Sequence, residues 1–430
     1  MEPMEIPRRA PTEDELDLQD NILHMLREEP ATGIQLWDRL KSHLQALGKS
    51  TFRTAVWQLL SDDTLELGVG NILHITQPPE SLEERLRLSK TVYSWVMPET
   101  EQMIQEIAGS KEHQTLLRGR HREAWTSKQD AYHKEFFDTW LSWVDEKVAT
   151  PCWFSHKYPT AGSSEAIRET LAQHACLAQY QPHKGVPTIH IFEGEYEGYK
   201  ALAKPYGIRV IEHDRANWRK SLEEFASRES TVGHKWYLSN PSSIDGNFWE
   251  DYSLFLSVVH EQTDIKVMLD LCYVGCVPEM SYPSKRIDAR HDVIDTVFFS
   301  LSKVFGVYYH RVGGMFSRTE HPGLWGNKWF KNLSSLYLGT QLMKRYHLTE
   351  LPDKYLDLQL EVVNELYPAL NDSHHIVEHI DASHVILLAH QRIKRHSPFD
   401  GYFDRLPKRP RYCLTQRLYD KCMKNGDYPQ

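Results

Sequence analysis

The chain has 430 residues and a formal charge of −9, with 40% hydrophobic and 25% charged side chains, a globular composition that excludes fibrous, collagenous and wholly disordered classes. The acidic balance argues against a protein whose main task is coating nucleic acid or an anionic membrane. No stretch has the roughly 18 uncharged apolar residues a membrane helix needs, and the start, MEPMEIPRRAPTEDELD, lacks the apolar core of a signal peptide. A cytoplasmic location without a membrane partner is expected, and the six scattered cysteines, with no CxxC pair, read as reduced thiols.

In chain order, residues 1–15 are rich in Pro, Glu and Arg without an apolar period and read as a disordered leader. Residues 16–28 set Leu18, Ile22, Leu23 and Leu26 on one helical face, and 33–44 do the same with Ile34, Trp37, Leu40 and Leu44. Ser50 or Thr51 can cap a third helix through Leu60, and TLELGVGNILHIT reads as two short strands around a turn. Residues 16–78 therefore resemble a winged helix. Residues 79–320 begin with a mostly helical entry segment, 81–148, whose Phe136, Phe137, Trp140, Leu141, Val144 and Val148 form an apolar stripe. From about 150, short β-branched or aromatic runs at 188–192, 208–213, 235–239, 266–271 and 296–302 alternate with helical segments. That alternation predicts an α/β fold, a mostly parallel sheet covered by helices on both faces. Residues 321–430 read as a long helix at 353–367 followed by strand-like HHIVEHI, SHVILLAH and RYCLT, a small α+β C-terminal domain.

Five motifs in the sheet region fit one task, holding an aromatic aldehyde phosphate as an electron sink. Gly162-Ser163-Ser164-Glu165 opens a helix, where free backbone NH groups and hydroxyls suit a phosphate; the same residues also make an ordinary N-cap. Tyr196 follows the strand at 188–192 and could lie on a ring. Asn240-Pro241 follows the strand at 235–239, at the edge where open α/β sheets bind ligands. Asp270 ends an apolar strand, where a carboxylate is costly unless it meets a cationic partner, and Tyr273 comes three residues later. Ser300-Leu301-Ser302-Lys303 is followed by Arg311 and Gly313-Gly314, and a lysine at a buried strand end can lose its proton by desolvation.

In order and spacing this set resembles the class I/II aminotransferases, fold-type I enzymes dependent on pyridoxal 5'-phosphate, across roughly residues 150–417; SLSKVFGVYYHRVGG is the most specific stretch. The resemblance implies an aspartate-aminotransferase-like large domain and a homodimer acting on an amino acid and keto acid or other small amine. It implies Lys303 as the Schiff-base lysine and proton shuttle, Asp270 as partner of the ring nitrogen, Asn240 and Tyr273 on the phenolic oxygen, and Tyr196 stacked on the ring. Gly162, Ser163, Ser164, Ser300, Ser302 and Arg311 would hold the phosphate, and Arg411 would clasp a substrate carboxylate. A basic surface is the other reading of Arg411, since ten Lys or Arg stand against three Asp between Arg392 and Lys424.

The chain departs from the family in three ways. No Gly- and Pro-rich arm is evident in 81–150, the Asn-Pro motif lacks its second proline, and the tyrosine a dimer partner would donate has only Tyr132 at a fitting separation. A cyclase or lyase of specialised metabolism is therefore the alternative to transamination. A regulator joining a winged helix to such a domain is a third reading, but residues 1–80 carry seven Lys or Arg against fourteen Asp or Glu, so nucleic-acid binding is not expected. His375-Ile376-Val377-Glu378-His379 matches a zinc-peptidase spacing; its alternation reads as a strand and no metal is expected. Cys272, without an evident base, reads as a packed thiol.

Overall fold

The computed structural model describes residues 13–28, 31–43, 52, 55–56, 59, 65–67, 72–75, 86–89, 91–93, 95–118, 125–150, 154–180, 186–227, 230–283, 286–327, 332–370, 375–381, 385–394 and 411–429. They divide between two compact units, Met1–Lys90 with Asn364–Ile380 and His390–Pro410, and Thr91–Val363 with Asp381–Ala389 and Arg411–Gln430.

In the first unit the helices Glu13–Glu28 and Gly33–His43 accompany β1 (Ala31–Thr32), β2 (Leu65–Leu67) and β3 (Ile72–Ile75). The strands form an antiparallel sheet in the order β1-β3-β2, and residues 52, 55, 56 and 59 are helical. Leu18, Ile22, Leu23 and Leu26 are buried together with Leu36, Leu40, Phe52, Ala55 and Leu59; the expected face of the first helix is reproduced, while in the second Leu36 joins Leu40 in the core, Trp37 is only partly buried, and Ile34 and Leu44 lie outside the residues whose burial is described. The first helix starts at Glu13, inside the expected leader; residues 1–12 and Leu60 lie outside the described residues.

The second unit holds β4 (Val148–Ala149), β5 (His156–Thr160), β6 (Thr188–Phe192), β7 (Arg209–His213), β8 (Lys235–Ser239), β9 (Lys266–Asp270), β10 (Ile287–Asp288), β11 (Ile294–Ser300) and β12 (Gly313–Ser317). Seven of them make one sheet in the order β5-β12-β11-β9-β8-β6-β7. β6, β7, β8, β9 and β11 pair in parallel, and β12 runs antiparallel to both β11 and β5. Only β12 is therefore reversed. Ile189 and Ile191 pack with Ala166, Ile167 and Leu171 of the helix Ser163–Tyr180 on one face, while Phe192, next along the strand, meets Trp236 and Phe255 on the other. Burial on both faces is why these strands read as continuous apolar runs. Beyond them, Phe136, Phe137 and Trp140 of the helix Trp125–Val144 pack on Phe299 and Phe316, Trp140 stacking on Phe299 at 4.3 Å. Truncating such a tryptophan costs about 3–5 kcal/mol.

The entry segment departs from the expected helix. Helices occupy Pro98–Gly109, Lys111–Arg118 and Trp125–Val144, but the described residues among 91–97 form neither helix nor strand. Pro98 disfavours a helical Met97 and serves instead as the first residue of the next helix. Leu141 is only partly buried, unlike the rest of its stripe. Further along come the helix Glu350–Leu370, β13 (His375–Asp381), β14 (Leu387–Lys394) and β15 (Arg411–Cys413), with Leu387–Ala389 paired antiparallel to Arg411–Cys413.

Candidate active site

Strand direction gathers the sequence motifs. β5, β8, β9 and β11 end at Thr160, Ser239, Asp270 and Ser300, and the reversed β12 begins at Gly313, just after Arg311. The register aligns these ends: Gly313 lies opposite Thr160 and Ser300, and Asp270 opposite Ser239 and Phe298. Residues 140 positions apart in the chain thus share the carboxyl edge of the sheet.

At one end of that edge is an anion cradle. Gly162 takes φ +79°, and a Cβ placed there would lie 3.2 Å from both Arg311 Nη2 and Ser300 Oγ. The position requires glycine for its backbone and for the close approach of a guanidinium. Arg311 donates to the Ala161 carbonyl at 2.9 Å and lies over the Tyr308 ring at 5.1 Å. Ser163 begins the helix Ser163–Tyr180, whose first NH groups carry positive dipole ends. The Glu165 carboxylate reaches back to Ala161 NH at 2.6 Å, so the ordinary capping role coexists with the cradle. Ser302 NH donates to Ser300 Oγ at 3.2 Å, and Ser302 Oγ is buried without a hydrogen-bond partner.

Beside the cradle, Asp270 is 1% exposed. Its Oδ1 accepts from Cys272 NH at 3.0 Å and from Ser163 Oγ at 3.4 Å, and its Oδ2 accepts from the Tyr199 hydroxyl at 3.0 Å. Burial pushes its carboxyl up to about 6, a shift the hydrogen bonds oppose and the nearby Glu195 adds to. The Cys272 thiol hydrogen-bonds it as well, and all of these donors are neutral. Tyr196 stands at the rim, 39% exposed, edge-on to Tyr199 at 5.6 Å and 3.3 Å from Ser164 Oγ. A Cβ at Gly198 would run into the Tyr196 ring.

Lys303 is half-buried. Burial lowers its ammonium pKa, with a smaller push from Arg311, against opposing effects of Cys272, Cys413 and Cys276. Its Nζ donates to the Val92 carbonyl, within the non-helical stretch 91–97. Gly306, at φ +66°, lets the Trp95 carbonyl lie directly on the lysine loop, where any Cβ would collide. Tyr93 NH donates to Cys413 Sγ at 3.1 Å, Thr415 Oγ1 donates to the Tyr93 carbonyl at 3.1 Å, and the Tyr428 hydroxyl donates to the Val96 carbonyl at 2.8 Å. The described residues among 91–97 thus form a strap over Lys303, clamped by the C-terminal segment.

Asn240 is buried, is joined to Pro241 by a cis peptide bond, donates its NH to the Asp270 carbonyl at 3.0 Å and accepts from Trp249 NH at 3.4 Å. Tyr273 is also buried, which raises its phenol pKa well above the ordinary value. Arg411 Nη1 donates to the carbonyls of Gly194, at 2.9 Å, and Ser243. Tyr132 is committed inside the chain, its hydroxyl on Glu112 and its ring edge-on to Tyr337.

Two residues were missed from sequence. Tyr199 is signalled only by lying one helical turn beyond Tyr196. Glu195, 2% exposed, accepts from Ser239 NH at 3.2 Å and from the Ser239 and Ser243 hydroxyls at 2.6 Å each, tying the β6 turn to the β8 turn. Burial raises its carboxyl pKa. The segment at His375–His379 is part of β13, as its alternation indicates; its side chains lie outside those described. Among the described residues no group of three or more His, Cys, Asp or Glu side chains is arranged to hold a metal ion, and no helix is long and apolar enough to cross a membrane.

No family model matches the sequence, and no curated protein is significantly similar to it. Solved structures share the fold. A pyridoxal-phosphate-bound C-S lyase from Staphylococcus hominis, complexed with L-cycloserine, is 12% identical over 81% of this chain and 94% of its own, with a TM-score of 0.54. An Escherichia coli protein with a methionine aminotransferase function is 15% identical over 78% of this chain and 92% of its own, at 0.54. A probable N-succinyldiaminopimelate aminotransferase from Thermus thermophilus is 14% identical over 80% and 96%, at 0.53.

Proposed function

We propose that the protein is a pyridoxal 5'-phosphate enzyme acting on an amino acid or related amine, most simply an aminotransferase working through Lys303. The observation that carries this reading is the convergence, on one sheet edge, of a buried carboxylate without a cation, a desolvated lysine and an arginine–serine cradle that closes against Gly162. The residues fit the cofactor: the unpartnered Ser302 hydroxyl and the cradle match a phosphate, and Asp270 matches a protonated ring nitrogen. When bound, the cofactor supplies an electron sink for charge developing at the substrate α-carbon.

The protein's own part is positioning and proton transfer. Arg311, Ser300, Ser302 and the NH groups at Ser163 and Ser164 would hold the phosphate, Tyr196 would cover the ring, and Asn240 and Tyr273 would bond its phenolic oxygen. Asp270 would keep the ring nitrogen protonated. Lys303, partly desolvated, would carry the covalent attachment and afterwards move a proton to and from the substrate α-carbon. Arg411 would exchange its backbone carbonyl partners for a substrate carboxylate, a stronger bidentate match. Residues 16–78 are proposed as a winged-helix-like adjunct, supported by two helices, a helical third segment and a three-stranded antiparallel sheet. A cytoplasmic homodimer completes the proposal.

Borohydride reduction of the cofactor-loaded protein followed by peptide mapping should label Lys303, and Lys303→Ala should lose about 10³-fold or more of turnover; unchanged turnover would overturn the assignment. A lyase is the second reading, favoured by the clamped strap over Lys303. Incubation with amino acids and a keto acid separates the two, since only transamination yields a new amine in proportion to a new keto acid.

A further inference from the structure

Tyr199 joins the two parts of the site that would touch opposite sides of the proposal, the ring cover and the carboxylate. It is fully buried, its ring edge-on to Tyr196 at 5.6 Å and tilted against Tyr237 at 5.4 Å. Its hydroxyl donates to Asp270 Oδ2, while Oδ1 is taken by Cys272 NH and Ser163 Oγ. We infer, on the reading of the site as a pyridoxal phosphate site, that Tyr199 is a positioning residue: its hydroxyl holds Asp270 anionic and fixed in orientation, and its ring supports Tyr196 from behind.

The chemistry follows from which groups face the carboxylate. The titratable neighbours acting on Asp270 are Tyr199, Cys272 and Glu195. Glu195 repels negative charge on Asp270, and burial disfavours it further. Burial and both carboxylates drive the Tyr199 phenol well above its ordinary pKa, so it stays a donor across the working range. A hydrogen bond from a neutral donor to an ionised carboxylate is stronger than a neutral pair and stabilises the anion selectively. Removing it leaves Asp270 with the backbone NH and thiol of Cys272 and one longer bond from Ser163. A protonated Asp270 could not act as counter-ion to a protonated ring nitrogen.

The test is Tyr199→Phe, which keeps the ring. With cofactor, the dissociation constant should rise about tenfold, and the pH midpoint of the bound chromophore should move. In cofactor-free protein, the Asp270 carboxyl, followed by ¹³C NMR, should titrate about one pH unit higher than in the wild type. Tyr237→Phe removes another buried hydroxyl, bonded to Thr170 at 2.9 Å, and should change neither readout. If Tyr199→Phe folds poorly, 3-fluorotyrosine at position 199 keeps the ring, strengthens the donor and should move the carboxyl midpoint downward. A wild type that takes up cofactor, with a variant equal to it in affinity and titration, overturns the inference and leaves the reading standing. A shifted titration in a protein that takes up no cofactor overturns the reading instead, with Tyr199 still coupled to Asp270.

Discussion

Two buried polar clusters lie on the same seven-stranded sheet, and they differ in whether their members satisfy one another. On β6, β7 and the entry to β8, His190 Nδ1 meets His213 Nε2 at 2.9 Å and His190 Nε2 meets His234 Nδ1 at 3.0 Å. His190 and His213 are stacked on Trp236. His190 donates to one neighbour and accepts from the other, so both of its ring nitrogens are satisfied, and burial holds His190 down to about 2 and His213 down to about 4. At the carboxyl edge, Asp270 has only neutral donors and Ser302 Oγ has none. A cluster whose members bond one another is part of the core. One left short of a cation and an anion carries a cost in stability that a ligand bearing those charges would offset, as the proposed function requires.

The comparison can be broken in graded steps. The largest effect is expected for Gly162→Val, which sets a branched side chain between Arg311 and Ser300. Cofactor affinity should fall at least about 100-fold, ~3 kcal/mol, with circular dichroism near wild type; undiminished affinity would mean that the cradle does not hold the phosphate. Next come two substitutions with opposite signatures. His190→Leu should cost about 2–4 kcal/mol in urea unfolding and leave cofactor affinity unchanged. Asp270→Asn should abolish most turnover while making the cofactor-free protein about 1 kcal/mol more stable at pH 7, because Tyr199 can turn to accept from the new amide. Equal destabilisation by both would erase the distinction.

The smallest effect is on acid stability, where the two clusters pull in opposite directions. The histidines fold with lowered pKa values, so their contribution is complete above about 6.5 and is lost as the pH falls toward about 4. The Asp270 carboxyl folds with a raised pKa, so folding gains as the pH falls from about 6 toward the ordinary carboxylate value. Cofactor-free wild type should therefore show a shallower loss between pH 6 and 4 than Asp270→Asn, by up to about 1.4 kcal/mol per pH unit. Identical acid slopes in the two proteins would count against a raised Asp270.

How much was legible follows from which residues report on themselves. The strand expected at 235–239 is reproduced at its stated limits, and those at 208–213, 266–271 and 296–302 fall within two residues at each end, because buried parallel strands leave uninterrupted apolar runs. Gly162, Asp270, Lys303 and Arg311 were singled out by order and spacing, and the structure brings Arg311 to Gly162 and buries Asp270. Tyr199 and Glu195 were not, since a tyrosine near a helix start and a glutamate in a turn are common, and only their partners distinguish them. The stretch 91–97 falls inside the segment 81–148 that the apolar stripe marks as mostly helical, yet its described residues are not helical; Thr91-Val92-Tyr93-Ser94-Trp95-Val96 carries no glycine or proline to announce the break.

The sequence by itself determined the alternation of strand and helix, the chemistry available at each strand end and the small residue at Gly162, all of which depend on local propensity and spacing. The tertiary structure decided which of those groups meet. The reversal of β12 brings Arg311 to Gly162, the register of β9 sets Asp270 beside Tyr199 and Ser163, and the C-terminal clamp lays the Val92 carbonyl on Lys303. Each of these contacts joins residues from about 70 to more than 300 positions apart, and pairings of that span are fixed by burial and by hydrogen-bond satisfaction across the whole fold, which no local pattern encodes.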